Sequence, residues 1–166
     1  MLLALDIYYR DDTAKAVGVL FNWEDEQPAS IIVEWIENVE PYVSGKFYKR
    51  ELPCIMKIME NVELSQLEAI IIDGYVFIDN DKNYGLGGHL WEALGKTIPI
   101  IGVAKTSFFS NKGTVLPITR GESKNPLFVS AIGMDVSEAA NLVRNMKGSF
   151  RIPTVLKELD RVTKEV

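Results

Sequence analysis

Cysteine is almost missing from this chain: Cys54 is the only one in 166 residues. That excludes an internal disulfide and any cysteine-rich zinc site, fits a reducing, cytoplasmic setting, and leaves oxygen as the donor for any metal. Long apolar runs are missing too. Nothing approaches the ~20 residues of a membrane span. The opening apolar stretch, Met1–Leu5, is broken by Asp6 and followed by Tyr8, Tyr9 and Arg10, unlike the hydrophobic region of an export signal. No membrane partner is expected. Basic charge is scarce: 18 Lys and Arg stand against 23 Asp and Glu, a net charge of −5, which works against broad polyanion binding. The basic residues nevertheless group, as Lys46, Lys49, Arg50, then Lys105, Lys112, Arg120, Lys124, then Arg144, Lys147, Arg151. A few of them on one face suffice to bind phosphate, while acids attract divalent cations.

What is present is a sequence of ordinary composition, 47% hydrophobic and 25% charged, long enough for one domain spanning residues 1–166. It carries no internal repeats, linkers or low-complexity tracts. Leu2–Tyr9, Ala14–Phe21 and Ile31–Val39 read as a strand meander, separated by polar clusters. Pro53 suits the first turn of a helix carrying Ile55, Met56, Ile58, Met59 and Val62. The β-branched run Ile70–Ile72, ending in Asp73-Gly74, has the pattern of a buried parallel strand that opens into a loop. A helix from near Gly87, a strand within Thr97–Val103, a late strand at Leu127–Gly133 and helices after Asp135 and from Pro153 follow. The expected fold class is α/β, an RNase H-like mixed sheet with helices on both faces.

Two acids stand out. Asp6 interrupts an apolar strand, where a lone carboxylate is costly to bury. A cation, an arginine or a backbone amide could compensate it. Asp73 ends the most hydrophobic strand, at the end where ligands gather in open α/β sheets, although Asp-Gly is also a common turn pair. Two carboxylates on neighbouring core strands raise each other's pKa unless a cation lies between them, so the pair implies a shared proton or a bound metal. Magnesium-assisted phosphoryl transfer uses such an arrangement.

Asp6-Ile7-Tyr8-Tyr9, Pro41-Tyr42-Val43-Ser44-Gly45, Tyr48-Lys49-Arg50-Glu51-Leu52-Pro53, Asp73-Gly74, Gly102-Val103-Ala104-Lys105 and Asn125-Pro126-Leu127-Phe128-Val129-Ser130, in this order, resemble endonuclease V. The match extends through Lys147-Gly148 and Arg151-Ile152-Pro153 and covers nearly the whole chain. The resemblance implies a magnesium-dependent endonuclease, with manganese as a substitute, acting on DNA and conceivably on RNA. Its target would be a deaminated purine, typically hypoxanthine, with the cut on the 3′ side and a role in DNA repair; a monomer is expected. It assigns Asp6, Glu51 and Asp73 to metal binding and catalysis and Lys105 to the scissile phosphate. Tyr42 matches an aromatic wedge that fills the gap left by an extruded base, and Gly45, Phe47 and Gly74 match the lining of that base's pocket.

The chain also departs from the family pattern. Met134 stands where the family has a catalytic histidine, and a thioether neither binds magnesium well nor transfers protons. Asp135 beside it is a candidate metal ligand, while its spacing to Glu138 equally fits a capping box. His89, the only histidine, is expected to pack or to lie on a helix surface. Asp79-Asn80-Asp81-Lys82 replaces a histidine, proline and arginine near the base pocket, and Ser44 replaces a proline. The chain begins almost at its first strand, so a reduced member is expected. The alternatives are a non-catalytic nucleic-acid-binding relative, against which three retained acids argue, and an actin-like phosphotransferase, which would need a longer chain.

Overall fold

The structure, a computed structural model, describes residues 1–39, 41, 43, 44 and 48–165. These residues form a seven-stranded sheet in the order β3-β2-β1-β4-β5-β7-β6. The strands are β1 Leu2–Arg10, β2 Thr13–Phe21, β3 Ser30–Ile36, β4 Ala69–Asp73, β5 Ile100–Ala104, β6 Leu116–Ile118 and β7 Leu127–Ile132. β1, β4 and β5 run parallel, and the meander β1–β3 and the pair β6–β7 flank them antiparallel. This is the RNase H-like α/β arrangement the sequence predicts.

The apolar strands divide their side chains between two cores with the period of two that a pleated strand imposes. Leu3, Leu5, Ile70 and Ile72 face α1 (Tyr48–Met59) and α2 (Leu86–Ala93), whose Ile55, Ile58 and Leu90 fill that side. Leu2, Ala4, Ile71 and Ile101 face α3 (Val136–Arg144) and α4 (Thr154–Lys164), packed through Val143, Val155 and Leu159. Each fully buried aliphatic side chain contributes about 2 kcal/mol, so both helical layers are firmly seated.

α1 begins five residues before Pro53, which lies inside the helix. The proline gives up only the one bond its missing N–H would make to the Lys49 carbonyl, near enough to the helix start to be tolerated. The consequence is functional, because Glu51 falls in the first turn of a helix instead of in a charged loop.

α4 is fixed at its far end by an unusual contact. Lys15 of β2 is buried, and its ammonium donates to the carbonyls of Val162 and, at 2.8 Å, Glu165. Both carbonyls belong to the C-terminal end of α4, where helical partners run short, and the positive charge suits that end of the helix dipole. The helix that reaches the sheet's acidic end is thereby held in register.

Candidate active site

Leu5 of β1 stands opposite Ile72 of β4, so the next residues, Asp6 and Asp73, leave the strand pair side by side. Neighbouring strands are ~4.8 Å apart. By strand alternation both acids point to the α4 face, and Asp160 of α4 meets them there, lining a small cavity together with Lys105, the residue that follows β5. From the opposite layer α1 brings Glu51 to the same sheet end, where Asp6, Glu51 and Asp73 line a second small cavity. Three layers therefore deliver acids to one place: the carboxyl ends of parallel strands, and one helix from each face.

The electrostatics match this crowding. Burial, followed by repulsion from Asp73, pushes the Asp6 carboxyl up to about 6, despite the 2.9 Å hydrogen bond it accepts from the Ile7 N–H. Burial, then Asp73 and Asp6, pushes Glu51 up to about 7. Asp73 is raised by desolvation, with Lys105 opposing the rise. Asp160 carries an ion pair with Lys164 at 3.0 Å. Clustered acids whose charge is under-compensated form a donor set suited to a hard divalent cation, which prefers oxygen. Among the described residues no three His, Cys, Asp or Glu side chains stand at metal-ligating spacing in this conformation.

A larger cavity of about 330 Å³ adjoins the acids. Glu51 and Asp73 form its inner edge, and Tyr48, Tyr75, Tyr84 and Phe108 form its walls. Gly74 lines it with φ of +139°, a backbone conformation that L side chains rarely adopt. The turn is held by Gly102 and Ser130. A side chain on Gly102 would strike the Gly74 carbonyl at 2.6 Å, and the Ser130 hydroxyl accepts from the Val76 N–H at 3.1 Å. The Gly102–Lys105 and Asn125–Ser130 segments thus act as the seat of the Asp73-Gly74 turn.

The structure brings Asp6, Glu51, Asp73, Lys105 and Gly74 to this end of the sheet, whereas Tyr42, Gly45 and Phe47 lie outside the described residues. Asp135 is elsewhere. β7 runs antiparallel to β5 with Ile132 opposite Ile100, so Asp135 emerges at the opposite end of the sheet. There its carboxylate caps α3, accepting from the Ser137 N–H at 2.7 Å and the Glu138 N–H at 3.3 Å. The capping geometry prevails over the metal role, and Met134 packs against the core. His89 stacks on Tyr48 with ring centroids 3.6 Å apart, a packing role.

The basic groups are also redistributed. Arg120 is buried and donates to the carbonyls of Arg144, Met146, Gly148, Phe150 and Arg151, so it braces a loop and is not offered to phosphate. Arg151 similarly donates to the carbonyls of Lys105, Asn125 and Pro126. It ties the chain beside Lys105 in place.

Asp160 and the aromatic walls escape a reading of the sequence. An acid in the amphipathic stretch Thr154–Lys164 looks like part of a solvated face, and only its place beside the inward-facing Leu159, one turn after Leu156, marks it as a border residue.

Parallel strands with acids at their carboxyl ends and helices on both faces define the chain as an RNase H-like α/β protein with an acidic cluster at one end of its sheet. The family model described as Endonuclease V matches residues 1–161, and the chain belongs to the endonuclease V family of nucleases. It is 26% identical to the endonuclease V of Methanothrix thermoacetophila over 92% of this chain and 74% of that protein. It is also 26% identical to that of Sulfolobus acidocaldarius, over 99% of this chain and 82% of the other. Human endonuclease V shares the fold, with a TM-score of 0.79 at 18% identity over 98% of this chain and 82% of that one. So does the Ciona intestinalis enzyme, solved in complex with a DNA containing an inosine followed by a ribo-adenosine, with a TM-score of 0.77 at 18% identity over 98% and 84%. No helix among the described residues is long and apolar enough to cross a membrane.

Proposed function

We propose that this chain is a magnesium-dependent endonuclease of DNA repair, one domain that recognises hypoxanthine in DNA and cuts the strand on its 3′ side. The observation that carries this reading is the shared edge of two cavities: Glu51 and Asp73 line both the acidic cleft and the aromatic-walled cavity. A base extruded into the aromatic cavity lays its own backbone across the acids. The protein then needs no separate device to bring lesion and scissile phosphate together.

In this reading Asp6, Glu51, Asp73 and Asp160 hold magnesium, or manganese in its place. Bound there, the ion supplies polarisation of the phosphate and activation of the attacking water. The chain's own residues do the rest. Lys105, whose backbone is pinned by Arg151, faces the cleft and neutralises phosphate charge. Tyr48, Tyr75 and Tyr84 stack on or enclose the base, while Gly74 admits it close to the backbone. Tyr42 as wedge and Gly45 and Phe47 as pocket lining rest on the sequence resemblance. A bound Ciona relative with inosine in its DNA supports the choice of lesion.

The test is cleavage of a labelled duplex carrying one deoxyinosine, beside an undamaged control and an inosine-containing RNA, with and without magnesium. A magnesium-dependent nick immediately 3′ of the lesion is expected. Lesion-dependent binding without cleavage of any strand would overturn the enzymatic reading in favour of a non-catalytic relative.

A further inference from the structure

Phe109 is 83% exposed, more than any other large hydrophobic residue of the described chain. Full burial of a phenylalanine is worth about 2–3 kcal/mol, so folding alone gives no reason for this placement. Its neighbour Phe108 is 47% exposed and lines the aromatic cavity, as does Ile78 at 44%, so the patch continues from the cavity's rim onto the surface. Contiguous exposed apolar surface of this kind marks a contact with something else.

The segment that displays Phe109 is rigidly built. Phe109–Thr114 forms a 3₁₀ turn kinked at Asn111, and Asn111 is fully buried, its amide donating to the Phe77 carbonyl at 2.8 Å. The Gly113 N–H donates to the Asn80 side chain at 2.7 Å, and the Thr114 hydroxyl to the Asn111 carbonyl at 2.8 Å. A floppy loop would let the ring fold back onto the protein; this one holds it out. The Lys112 ammonium stands 5.4 Å from the Phe109 ring centre. Asp79, the nearby acid, is engaged by its own turn, accepting from Asp81 and Asn83.

A flat ring paired with a cation, carried on the turn that follows the cavity-lining Phe108, presents the two groups that bind a nucleotide: a stacking face and a phosphate counter-charge. We propose that Phe109 and Lys112 form a shelf for the nucleotide next to the one held in the aromatic cavity, with the flanking base stacked on Phe109 and its phosphate beside Lys112. The shelf rests on the nuclease reading above. It gives the enzyme a grip on the strand outside the lesion and so a dependence on whether the neighbouring position carries a base.

The test uses the whole chain and deoxyinosine-containing strands in which 2-aminopurine replaces each of the nucleotides flanking the lesion in turn. Binding should quench the probe at one flanking position in the wild type, and Phe109→Ala should abolish that quenching while Phe109→Trp keeps it. Phe109→Ala should weaken binding about five- to a hundredfold. This loss should vanish on a strand whose base at that position is removed. Equal quenching in wild type and Phe109→Ala, or a loss indifferent to the missing base, overturns the shelf while leaving the nuclease reading intact. Failure of the wild type to bind or cut any strand overturns both. Circular dichroism of the variants excludes misfolding as the cause, and Lys112→Gln should make binding less sensitive to salt without altering the quench.

Discussion

The two ends of the sheet both carry aspartate, Asp6 within β1 and Asp73 closing β4 at one end and Asp135 after β7 at the other, and they teach opposite lessons about the same side chain. At one end Asp135 accepts two backbone N–H groups and completes a helix, so its charge is answered by the protein. At the other, Asp6 and Asp73 sit side by side with Glu51 close by; one backbone N–H and the charges of Lys105, Lys164 and Arg50 answer them only in part, and they are pushed toward the protonated state. An acid that the fold satisfies is structural. Acids that the fold crowds together without satisfying are waiting for a ligand.

The largest effect that separates the ends is catalytic. Asp73→Asn keeps the volume and removes the charge, and should lower single-turnover cleavage of the deoxyinosine duplex at least a thousandfold, about 4 kcal/mol, with the circular dichroism spectrum unchanged. Undiminished cleavage would remove Asp73 from the centre. Asp160→Asn should cost less, about ten- to a hundredfold, because its carboxylate is already shared with Lys164; raised magnesium should partly restore the rate. Asp135→Ala should do the reverse, lowering stability to urea by about 1 kcal/mol through loss of the cap while cleavage per folded molecule stays within twofold of wild type. A cleavage defect as deep as that of Asp73→Asn would erase the distinction between the two ends.

The smallest expected effect is on pH dependence without metal. Asp6 and Glu51 have pKa values of about 6 and 7 in the folded chain against ordinary values of 3.8 and 4.5. The folded state therefore binds protons more tightly than the unfolded state, and the advantage is full below about pH 4 and lost as pH rises through 6 to 7. The metal-free melting temperature should fall over that window as far as these groups govern it, and the fall should be shallower in Asp73→Asn, which removes one source of repulsion. An equal slope in both proteins would mean that the acids do not sense one another.

Much of this was legible in the residues. Strand alternation, the Ile70–Ile72 run and the ordered motifs located the meander, the parallel core and four of the residues that line the acidic end, namely Asp6, Glu51, Asp73 and Lys105. What escaped did so for physical reasons. β6 is three residues long and contains Pro117, too short for any period to show. The start of α1 was misplaced because a proline inside a helix reads as its beginning. Arg120 and Arg151 fall in the basic groupings of the sequence, and their bracing role was hidden because their carbonyl partners come from segments far apart in sequence. Asp160 depends on how α4 is rotated, which follows from packing and from the Lys15 anchor.

The claim that the crowded acids form a metal centre is tested most directly by melting wild type, Asp73→Asn and Asp135→Ala at pH 8 over a magnesium titration. The account predicts a saturable rise in melting temperature for wild type and Asp135→Ala and none for Asp73→Asn. The same rise in all three would place the ion elsewhere and contradict it.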